Sequence, residues 1–453
     1  MNIEILNQLY FMSKEKRSDK IYESRNQGMI NNRIKWGLLL LITTVALLGC
    51  GHKTSNETNT DTGDNNETND ETNTDTGDNN ETNNPYSEYN ASWLAGSWGI
   101  TQRVDGGYKL DASAGSSNWV EGAKEIVANI PSAGHVITSF THPAHAYLFT
   151  LRENNNVDVA AIHPDMVPTL ENEQIILDVI KVYRDAGKKV ILYLNAAGPS
   201  MADDRGDPEI KEAWEAYYNS EWDGDEAAAW RYLVLGYAER FNGLVDGYWL
   251  DNVSNLPGKL SDFMTMLRSV DPTLAIGVNK SKKYFTDDNN NYLYVDSDGI
   301  NDENETDYKI VKHVPTNEYT DFTAGHITPL GQGAPPNSWG YEEYTIPDMV
   351  KTPWETYDGS TYALKHGWFP IRTTWSGARS DLVFEVEQAY RFTRSITDGG
   401  AAITWSTTQD HGYMSDDEME IMIEIENRIT QSPMQAYQAY ERPEGAYLLS
   451  ETK

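Results

Sequence analysis

Strand-like and helix-like segments alternate over residues 88–432, and this alternation is the feature that most constrains the fold. The run Lys189–Asn195 is apolar, as expected of a buried strand, and residues 170–186 before it have helical periodicity. Regular alternation of this kind indicates a parallel sheet whose strands are connected by helices. The predicted strands span residues 97–102, 135–140, 189–195, 245–252, 274–279, 319–324, 367–375 and 401–407. We therefore predict an α/β fold, a (β/α)8 barrel.

The predicted fourth strand ends in a carboxylate, Asp251, two residues after Trp249. In a (β/α)8 barrel, a polar residue at the carboxyl end of a strand points into the mouth, where catalytic groups are found. A carboxylate beside an aromatic ring suits chemistry on a sugar, because the ring stacks on the sugar while the carboxylate attacks or stabilises the anomeric centre. The alternative is structural: Asp251 caps the next helix, a role that Asn252 could serve equally well.

Other predicted strands also end in polar or aromatic residues. These are His142 and His145 after the second strand, Asn195 at the end of the third, Asn279 at the end of the fifth, His326 after the sixth and Trp375 at the end of the seventh. Because the carboxyl ends of parallel strands meet at one end of a barrel, we expect these side chains to line a common mouth. A carbohydrate site needs such a convergence of hydrogen-bonding groups and aromatic rings.

The amino-terminal segment predicts export and lipid attachment. An uncharged apolar run over residues 36–48 is too short to cross a bilayer comfortably but suits a signal peptide. It ends in a motif similar to a bacterial lipobox, and Cys50 is the only cysteine of the chain. We interpret residues 1–50 as an upstream extension and lipoprotein signal peptide, lipidated at Cys50; a short uncleaved anchor is the alternative. We expect the protein to be anchored at the bacterial cell surface or outer membrane.

A repeat of polar and acidic residues follows the cysteine. The sequence NTDTGDNNETN occurs at residues 59–69 and again at 73–83. Such a composition cannot bury a core, so residues 51–87 are predicted to form a disordered linker before the barrel domain of residues 88–432. Residues 433–453 are interpreted as a carboxyl-terminal tail. The formal net charge of −33 argues against nucleic acid as a partner.

An acidic stretch lies in a predicted insertion, residues 286–315, after the fifth strand. Asp296, Asp298 and Asp302 lie around a glycine in this stretch. Because Ca²⁺ binds where several oxygens converge, these three residues are candidate ligands for a structural calcium ion. A solvated acidic loop is the alternative, and no cofactor is expected to be required.

Basic residues are scarce, and several of them fall near the predicted mouth. Lys280, Lys282 and Lys283 follow the fifth strand, while Arg372 and Arg379 lie on or just after the seventh. Cations concentrated at one rim of an acidic protein favour an anionic substrate, such as a sulfated polysaccharide. Ordinary solubilising charge is the alternative.

Several short motifs occur in a recognisable order. The histidines His142 and His145 follow the second strand, and Trp249-Leu250-Asp251 has an aromatic residue two positions before a carboxylate. Further motifs are Glu343 shortly before Ile346-Pro347, Trp354-Glu355, and Ser338-Trp339-Gly340-Tyr341. This set resembles the α-L-fucosidase clan, glycoside hydrolase family 29 and its endo-acting relatives, although the last motif follows the others in that family and precedes them here.

The resemblance implies a retaining glycoside hydrolase with Asp251 as the nucleophile and an acid/base about 5 Å away. Glu343 is favoured as the acid/base by its place before Ile-Pro, and Glu318, near the sixth strand, is its main rival. Glu342, Glu355 and His326 stay open, since some endo-acting relatives use a histidine. The predicted substrate contacts are His142, His145, Asn195, Trp249, Asn279, His326, Trp339, Trp375, Lys280 and Arg372.

The resemblance also implies a substrate class, a fucose-containing and sulfated polysaccharide that is cut internally. An exo-acting α-L-fucosidase is the first alternative. A non-catalytic glycan-binding lipoprotein on the same fold is the second. The run of residues 245–252 also resembles the corresponding strand of α-1,4-galactosaminidase-type barrels, which is a third.

Overall fold

The computed structural model describes residues 85–103, 117–141, 149–169, 172–203, 207–295, 308–325, 340–372, 381–410 and 412–436. The predicted signal peptide with Cys50 and almost all of the predicted linker lie outside these residues. The other predicted site residues outside them are His142, His145, His326, Trp339, Trp375, Arg379, Asp296, Asp298 and Asp302.

A parallel sheet forms the centre of the molecule. Its strands are β1 (Trp98–Gln102), β2 (His135–Thr141), β3 (Lys189–Asn195), β4 (Gly247–Asp251), β5 (Ala275–Val278), β6 (His366–Pro370) and β7 (Ala402–Ser406). Their order is β6-β7-β1-β2-β3-β4-β5, and every neighbouring pair is parallel. Both faces of the sheet are covered, so these strands are buried along nearly their whole length. The predicted parallel α/β architecture is confirmed.

Helices connect the strands as the alternation predicts. The longer ones are α1 (Ser117–Asn129), α2 (Ile175–Asp185), α3 (Pro208–Glu221), α4 (Glu226–Phe241), α5 (Leu260–Val270), α6 (Ile346–Lys351), α7 (Val386–Asp398) and α8 (Asp416–Ile429). Shorter helical segments are Ser92–Leu94, Val159–Ile162, Pro164–Met166, Gly198–Met201, Val253–Asn255 and the π-helical turn Tyr341–Thr345. Short strands outside the sheet are Lys283–Tyr284, Tyr294–Val295, Tyr308–Lys309, Val311–Lys312, Trp354–Thr356, Tyr362–Leu364, Gln409–Asp410 and Tyr413–Met414. No helix of the described residues is long and apolar enough to cross a bilayer.

The predicted sixth strand contributes a single bridging residue, Phe322. It forms parallel bridges to Gly277 on one side and to Leu364 on the other. The backbone N–H of Asp321 donates to Ile276 at 2.8 Å, and the N–H of Leu364 donates to Asp321 at 2.9 Å. The segment therefore lies between β5 and the chain that leads into β6, so that it links the two edges of the curled sheet as the sixth strand of a barrel does.

Side chains alternate between two apolar layers, since successive residues of a strand face opposite sides. On β3, Leu192 and Leu194 pack in the outer layer against the helices, whereas Ile191 and Tyr193 face inward. The inner layer consists of Ala91, Leu94, Ile137, Ile191, Tyr193, Trp249, Ala275, Phe322, Trp354, Leu364, Trp368 and Ala402. Large aromatic rings from several strands fill this interior, and polar side chains lie at its two ends.

Two histidines and a threonine form a polar layer near the amino ends of the strands. His135 Nε2 and His366 Nε2 lie 2.7 and 2.8 Å from Thr404 Oγ1. His135 Nδ1 lies 2.7 Å from Ser97 Oγ, and His366 Nδ1 lies 3.2 Å from the carbonyl of Thr323. A carbonyl only accepts, so His366 carries its proton on Nδ1, and the Thr404 hydroxyl donates to His366 and accepts from His135. Burial lowers the pKa of both imidazoles, that of His366 to about 4, which keeps them uncharged near neutral pH.

Candidate active site

Asp251 ends β4 and lies between side chains of the two neighbouring strands. The hydroxyl of Tyr193, on β3, donates to Asp251 Oδ2 at 2.5 Å. Asn279, which follows β5 directly, donates from Nδ2 to Asp251 Oδ1 at 2.7 Å. Hydrogen bonds to an ionised carboxylate are strong and directional. The two bonds therefore fix the orientation of Asp251 at the carboxyl end of the sheet.

These contacts do not support a helix-capping role for Asp251. Both of its oxygens accept hydrogen bonds from side chains, and the next long helix, α5, has Lys259 at its N-cap position. Asn252 also turns its side chain into the site, where Nδ2 donates to Asn195 Oδ1 at 2.9 Å. The φ of Asn252 is 53°, a left-handed value that asparagine tolerates better than most residues.

Asn195 is buried at the end of β3 with an unused donor. Its side chain has no exposed surface, and its Nδ2 has no hydrogen-bond partner among the described residues. Leaving a buried donor unpaired costs about 1–3 kcal/mol. Such a group beside the oriented carboxylate of Asp251 is therefore a candidate contact for a substrate hydroxyl.

Trp249 is buried in the inner layer, and its role as a substrate contact stays a prediction. It has no exposed surface, and its Nε1 donates to the carbonyl of Ala324 at 2.8 Å. One face stacks on Tyr193 with centroids 5.3 Å apart, and Trp368 packs edge-on at 4.5 Å. The inner layer thus uses Trp249 to position the tyrosine that holds Asp251.

A pocket opens beside Asn279 at this end of the sheet. Its lining includes Val278, Asn279, Lys282, Lys283, His313, Thr323 and Gly325. Lys282 is half-buried there; burial lowers its pKa, and the charge of Asp251 opposes that shift. Lys282 therefore couples the pocket electrostatically to the carboxylate.

His313 supplies an uncharged imidazole to the pocket. It is 2% exposed, and its Nε2 has no hydrogen-bond partner within the described part of the chain. Burial, with further contributions from His366, Lys365 and Lys282, lowers its pKa to about 3. At neutral pH this ring can accept or donate one hydrogen bond, but it carries no charge.

The carboxylates proposed as the acid/base do not line this pocket. Glu318 is exposed in a turn and hydrogen-bonds to Tyr319. Glu343 lies half-buried in the π-helical turn and hydrogen-bonds to Tyr344. Neither therefore lies in the pocket that adjoins Asp251.

Glu342, whose side chain is 9% exposed, packs against α7. It accepts hydrogen bonds from Gln388 at 3.0 Å and Arg391 at 3.2 Å. Burial raises its pKa to about 7, against the effects of these two partners. Glu342 does not line the pocket either, so its raised pKa reflects its packing against the helices and not a role in the pocket.

Two further predicted residues are held by ion pairs inside the fold. Glu355 Oε2 lies 2.9 Å from the buried ammonium of Lys365. Arg372 is 4% exposed, with Nε 2.5 Å from Glu418 Oε1 and a second bond to Asp417. These carboxylates of α8 balance the charge of Arg372. The guanidinium of Arg372 is therefore held within the fold, and its role as a substrate contact stays a prediction.

The lysines after β5 remain accessible. Lys280 and Lys283 are exposed, and no carboxylate of the described residues forms a salt bridge with either. Among the described residues no group of three or more potential ligands could hold a metal ion. The predicted calcium ligands lie outside these residues, so that prediction stays a prediction.

Tyr193 and His313 belong to the site, and the sequence reasoning did not assign them a role in it. Tyr193 could have been found, because it lies two residues before Asn195 and therefore on the same face of β3. His313 had no such signal, since it lies in an insertion without strand or helix periodicity.

Comparisons with known proteins agree with this arrangement. Residues 88–452 match the family described as "Mef1: Endo-alpha(1,4)-fucoidanase Mef1". The solved endo-fucoidan hydrolase P5AFcnA, from glycoside hydrolase family 107, is 75% identical over 80% of this chain and 99% of that chain, with a TM-score of 0.76. Two other family 107 endo-fucoidan hydrolases share the fold: MfFcnA4 (14% identity, 75% of this chain, 53% of that chain, TM-score 0.56) and MfFcnA9 (15%, 75%, 64% and 0.52). No match was found among curated proteins.

Proposed function

The chain belongs to the endo-α(1,4)-fucoidanase family, and from this premise we propose that it is a fucoidan hydrolase that cuts α-1,4 linkages within the polymer. Membership confirms the resemblance to the endo-acting relatives of the fucosidase clan. The observation that carries the proposal is the carboxylate of Asp251 at a strand end, with both oxygens held by Tyr193 and Asn279.

Asp251 acts as the nucleophile of a retaining mechanism in this proposal. One of its oxygens attacks the anomeric carbon and forms a glycosyl ester while the bond to the leaving oxygen breaks. The acid/base donates a proton to that oxygen, then removes a proton from the water that hydrolyses the ester. Tyr193 and Asn279 keep the carboxylate aligned, and the free amide donor of Asn195 is placed to hold a sugar hydroxyl.

His326 is our first choice of acid/base. Gly325 and Lys282 both line the pocket, and His326 is the next residue along the chain after Gly325. Glu343 and Glu318 do not line that pocket, which favours the histidine option over the two carboxylates. His313 is a weaker choice, because a ring with a pKa of about 3 holds too little proton at neutral pH to protonate a leaving group.

Product profiling tests the function. An endo-acting enzyme releases a ladder of oligosaccharides from fucoidan, whereas an exo-acting fucosidase releases only monosaccharide. Binding to fucoidan without any product would support the glycan-binding lipoprotein instead. The three outcomes separate the proposed function from both alternatives.

The acid/base is identified with His326→Gln, Glu343→Gln and Glu318→Gln. The correct variant loses activity on fucoidan but keeps it on an aryl fucoside with a good leaving group, because that substrate needs no protonation. Azide restores its turnover and gives a fucosyl azide of retained configuration. An adduct of inverted configuration would contradict a retaining mechanism.

Cell-surface tethering and sulfate recognition complete the proposal. The sulfate contacts would be Lys280 and Lys283, which are exposed, together with Lys282, which interacts electrostatically with Asp251. Lipid attachment at Cys50 would hold the enzyme where a polymer too large for import can be cut. Cys50→Ser should then move the protein from the membrane fraction to the soluble fraction. Retention of this variant in the membrane after a salt wash would contradict the lipid anchor.

A further inference from the structure

An insertion between β5 and Phe322 forms two short antiparallel strand pairs, and we call this segment the arm (residues 283–295 and 308–312). Its strand Lys283–Tyr284 pairs antiparallel with Val311–Lys312, and Tyr294–Val295 pairs antiparallel with Tyr308–Lys309. The arm begins directly after Lys282, so its base adjoins the pocket beside Asp251.

The arm has its own apolar anchor to the rest of the fold. Leu293 and Ile310 are buried together, with Phe285 and Tyr344 packed against them. Tyr344 belongs to the π-helical turn, so this small core attaches the arm to the helix layer. The hydroxyl of the neighbouring Thr345 adds a hydrogen bond at 3.0 Å to the carbonyl of Val311.

The hairpin turn of the arm is ordered by a single carboxylate. Asp287 Oδ1 accepts the backbone N–H groups of Asn289 and Asn291, both at 2.9 Å. Asn290 takes a left-handed φ of 64° between them. The turn therefore places Tyr292, which follows it, on a defined scaffold.

One face of the arm presents two aromatic rings and a cation. Tyr284 and Tyr292 meet edge to face with centroids 5.6 Å apart. The ammonium of Lys309 lies 4.0 Å from the ring centre of Tyr292 and 5.4 Å from that of Tyr284. Tyr292 remains 43% exposed, and no carboxylate of the described residues forms a salt bridge with Lys309.

The charges continue from this face to the pocket. Lys283 and Lys312 lie at the base of the arm and line the pocket that also contains Lys282. A chain with a formal net charge of −33 repels a polyanion over most of its surface. Lys312 lies 3.9 Å from Asp348, whereas Lys283 and Lys309 form no salt bridge within the described residues. These two cations, with Lys282 in the pocket, therefore mark a surface where an anionic polymer meets less repulsion than elsewhere on the chain.

We propose that Tyr292 and Lys309 form a distal subsite for an anionic sugar residue of the polymer, outside the pair of sugars joined by the cleaved bond. The exposed ring of Tyr292 stacks on the sugar, and the ammonium of Lys309 contacts its charged substituent. This inference rests on the proposed function, because a distal subsite holds a polysaccharide that is cut within its length. An enzyme that cuts within a polymer needs such contacts on sugars that do not react.

Tyr292→Ala and Lys309→Ala test the subsite, with Lys181→Ala on α2 as a matched exposed-lysine control. On fucoidan polymer, Tyr292→Ala should raise KM about 5- to 20-fold and Lys309→Ala about 2- to 5-fold, both with kcat within about twofold of wild type. On a short sulfated oligosaccharide that spans only the cleaved bond, both variants should match wild type. The effect of Lys309→Ala should vanish at high salt.

Two outcomes overturn the subsite. A purely structural arm predicts equal losses on polymer and short oligosaccharide, together with a lower Tm, and an unchanged KM on polymer excludes the contact altogether. The wild-type enzyme on the same polymer tests the proposed function separately. Binding of polymer by Asp251→Asn, with and without Tyr292→Ala, measures the subsite without any turnover.

Discussion

The two ends of the curled sheet treat their polar groups in opposite ways. At the amino end, His135, Thr404 and His366 satisfy one another in a continuous chain of hydrogen bonds. At the carboxyl end, Asn195 and His313 each keep a buried nitrogen without a partner among the described residues. A buried polar group that is fully hydrogen-bonded stabilises the fold. A buried polar group without a partner lowers stability, and such a group is expected where a bound ligand supplies the missing hydrogen bond. The comparison assigns stability to the amino end and recognition to the carboxyl end, as in other barrels.

The largest effect that tests this division is the loss of the carboxylate at the carboxyl end. Asp251→Asn should lower kcat on fucoidan by more than about 10³-fold, because a neutral amide cannot act as the nucleophile. The Tm should change little, since the amide fits the same space between Tyr193 and Asn279. Both kcat and thermal unfolding should be measured on the same preparation.

Asp246→Asn is the matched control at the other end of the same strand. Asp246 precedes β4 and forms salt bridges with Lys189 at 2.8 Å and Arg184 at 3.0 Å. Its variant should lose stability and keep its kcat. If Asp251→Asn retains near-normal turnover, or if Asp246→Asn is the variant that loses it, the assignment of Asp251 is wrong.

The next effect lies at the amino end and concerns stability. Thr404→Val removes the hydroxyl between His135 and His366 and leaves two buried ring nitrogens unpaired. We expect the free energy of unfolding to fall by about 2–4 kcal/mol, with kcat unchanged in the folded enzyme. Denaturant titration measures the loss, and Thr404→Ser, which keeps the hydroxyl, is the control. Equal stability of the two variants would show that the hydrogen-bond chain contributes nothing.

A smaller effect is the response of that layer to acid. The folded pKa of His366 is about 4, below its ordinary value of 6.5, so the unfolded chain binds a proton that the folded chain does not. Stability from this group is therefore fully present above about pH 6.5 and falls as the pH drops toward 4, by at most about 1.4 kcal/mol per pH unit. His366→Gln should flatten the fall in unfolding free energy between pH 7 and 5. A slope identical to that of wild type would mean that other groups cause the acid sensitivity.

The fold was largely predictable because its strands are buried on both faces. Apolar runs such as Lys189–Asn195 signal a buried strand without knowledge of the partners. The sixth strand was the weak point, because only Phe322 bridges to its neighbours, and one residue leaves no periodicity in the sequence. Its place depends on backbone bonds to Ile276 and Leu364, which are distant in sequence.

The site was predictable only where a residue's role follows from its position on a strand. Asp251 ends an apolar run, so its location at the carboxyl end follows from the strand alone. Arg372 does not behave in this way, since its partner Glu418 lies 46 residues further along the chain and no local pattern reveals the pairing. Trp249 was predicted to contact the substrate, but Tyr193 and Trp368 from other strands fill the space around it. Local sequence gives the direction of a side chain, whereas long-range packing decides whether it is free to bind.

The smallest effect concerns the exposed charges at the carboxyl end. Lys280→Ala/Lys283→Ala removes two lysines that form no salt bridge among the described residues, and Lys124→Ala/Lys181→Ala on α1 and α2 is the matched control. Exposed charge pairs contribute about 0.2–1 kcal/mol each, so the first variant should raise KM on sulfated fucoidan by about 2- to 30-fold. Its kcat should not change, because such contacts are equally strong in the ground state and the transition state.

Salt and desulfation separate recognition from general charge in that experiment. Because screening acts over about 8 Å near physiological ionic strength and over shorter distances in more salt, the difference from wild type should shrink as salt rises. A chemically desulfated fucoidan should give the same KM with wild type and with Lys280→Ala/Lys283→Ala. If the control pair raises KM on the sulfated polymer equally, the net charge of the protein governs binding. The carboxyl end of the sheet would then carry the catalytic groups, but its lysines would give it no specific affinity for sulfate.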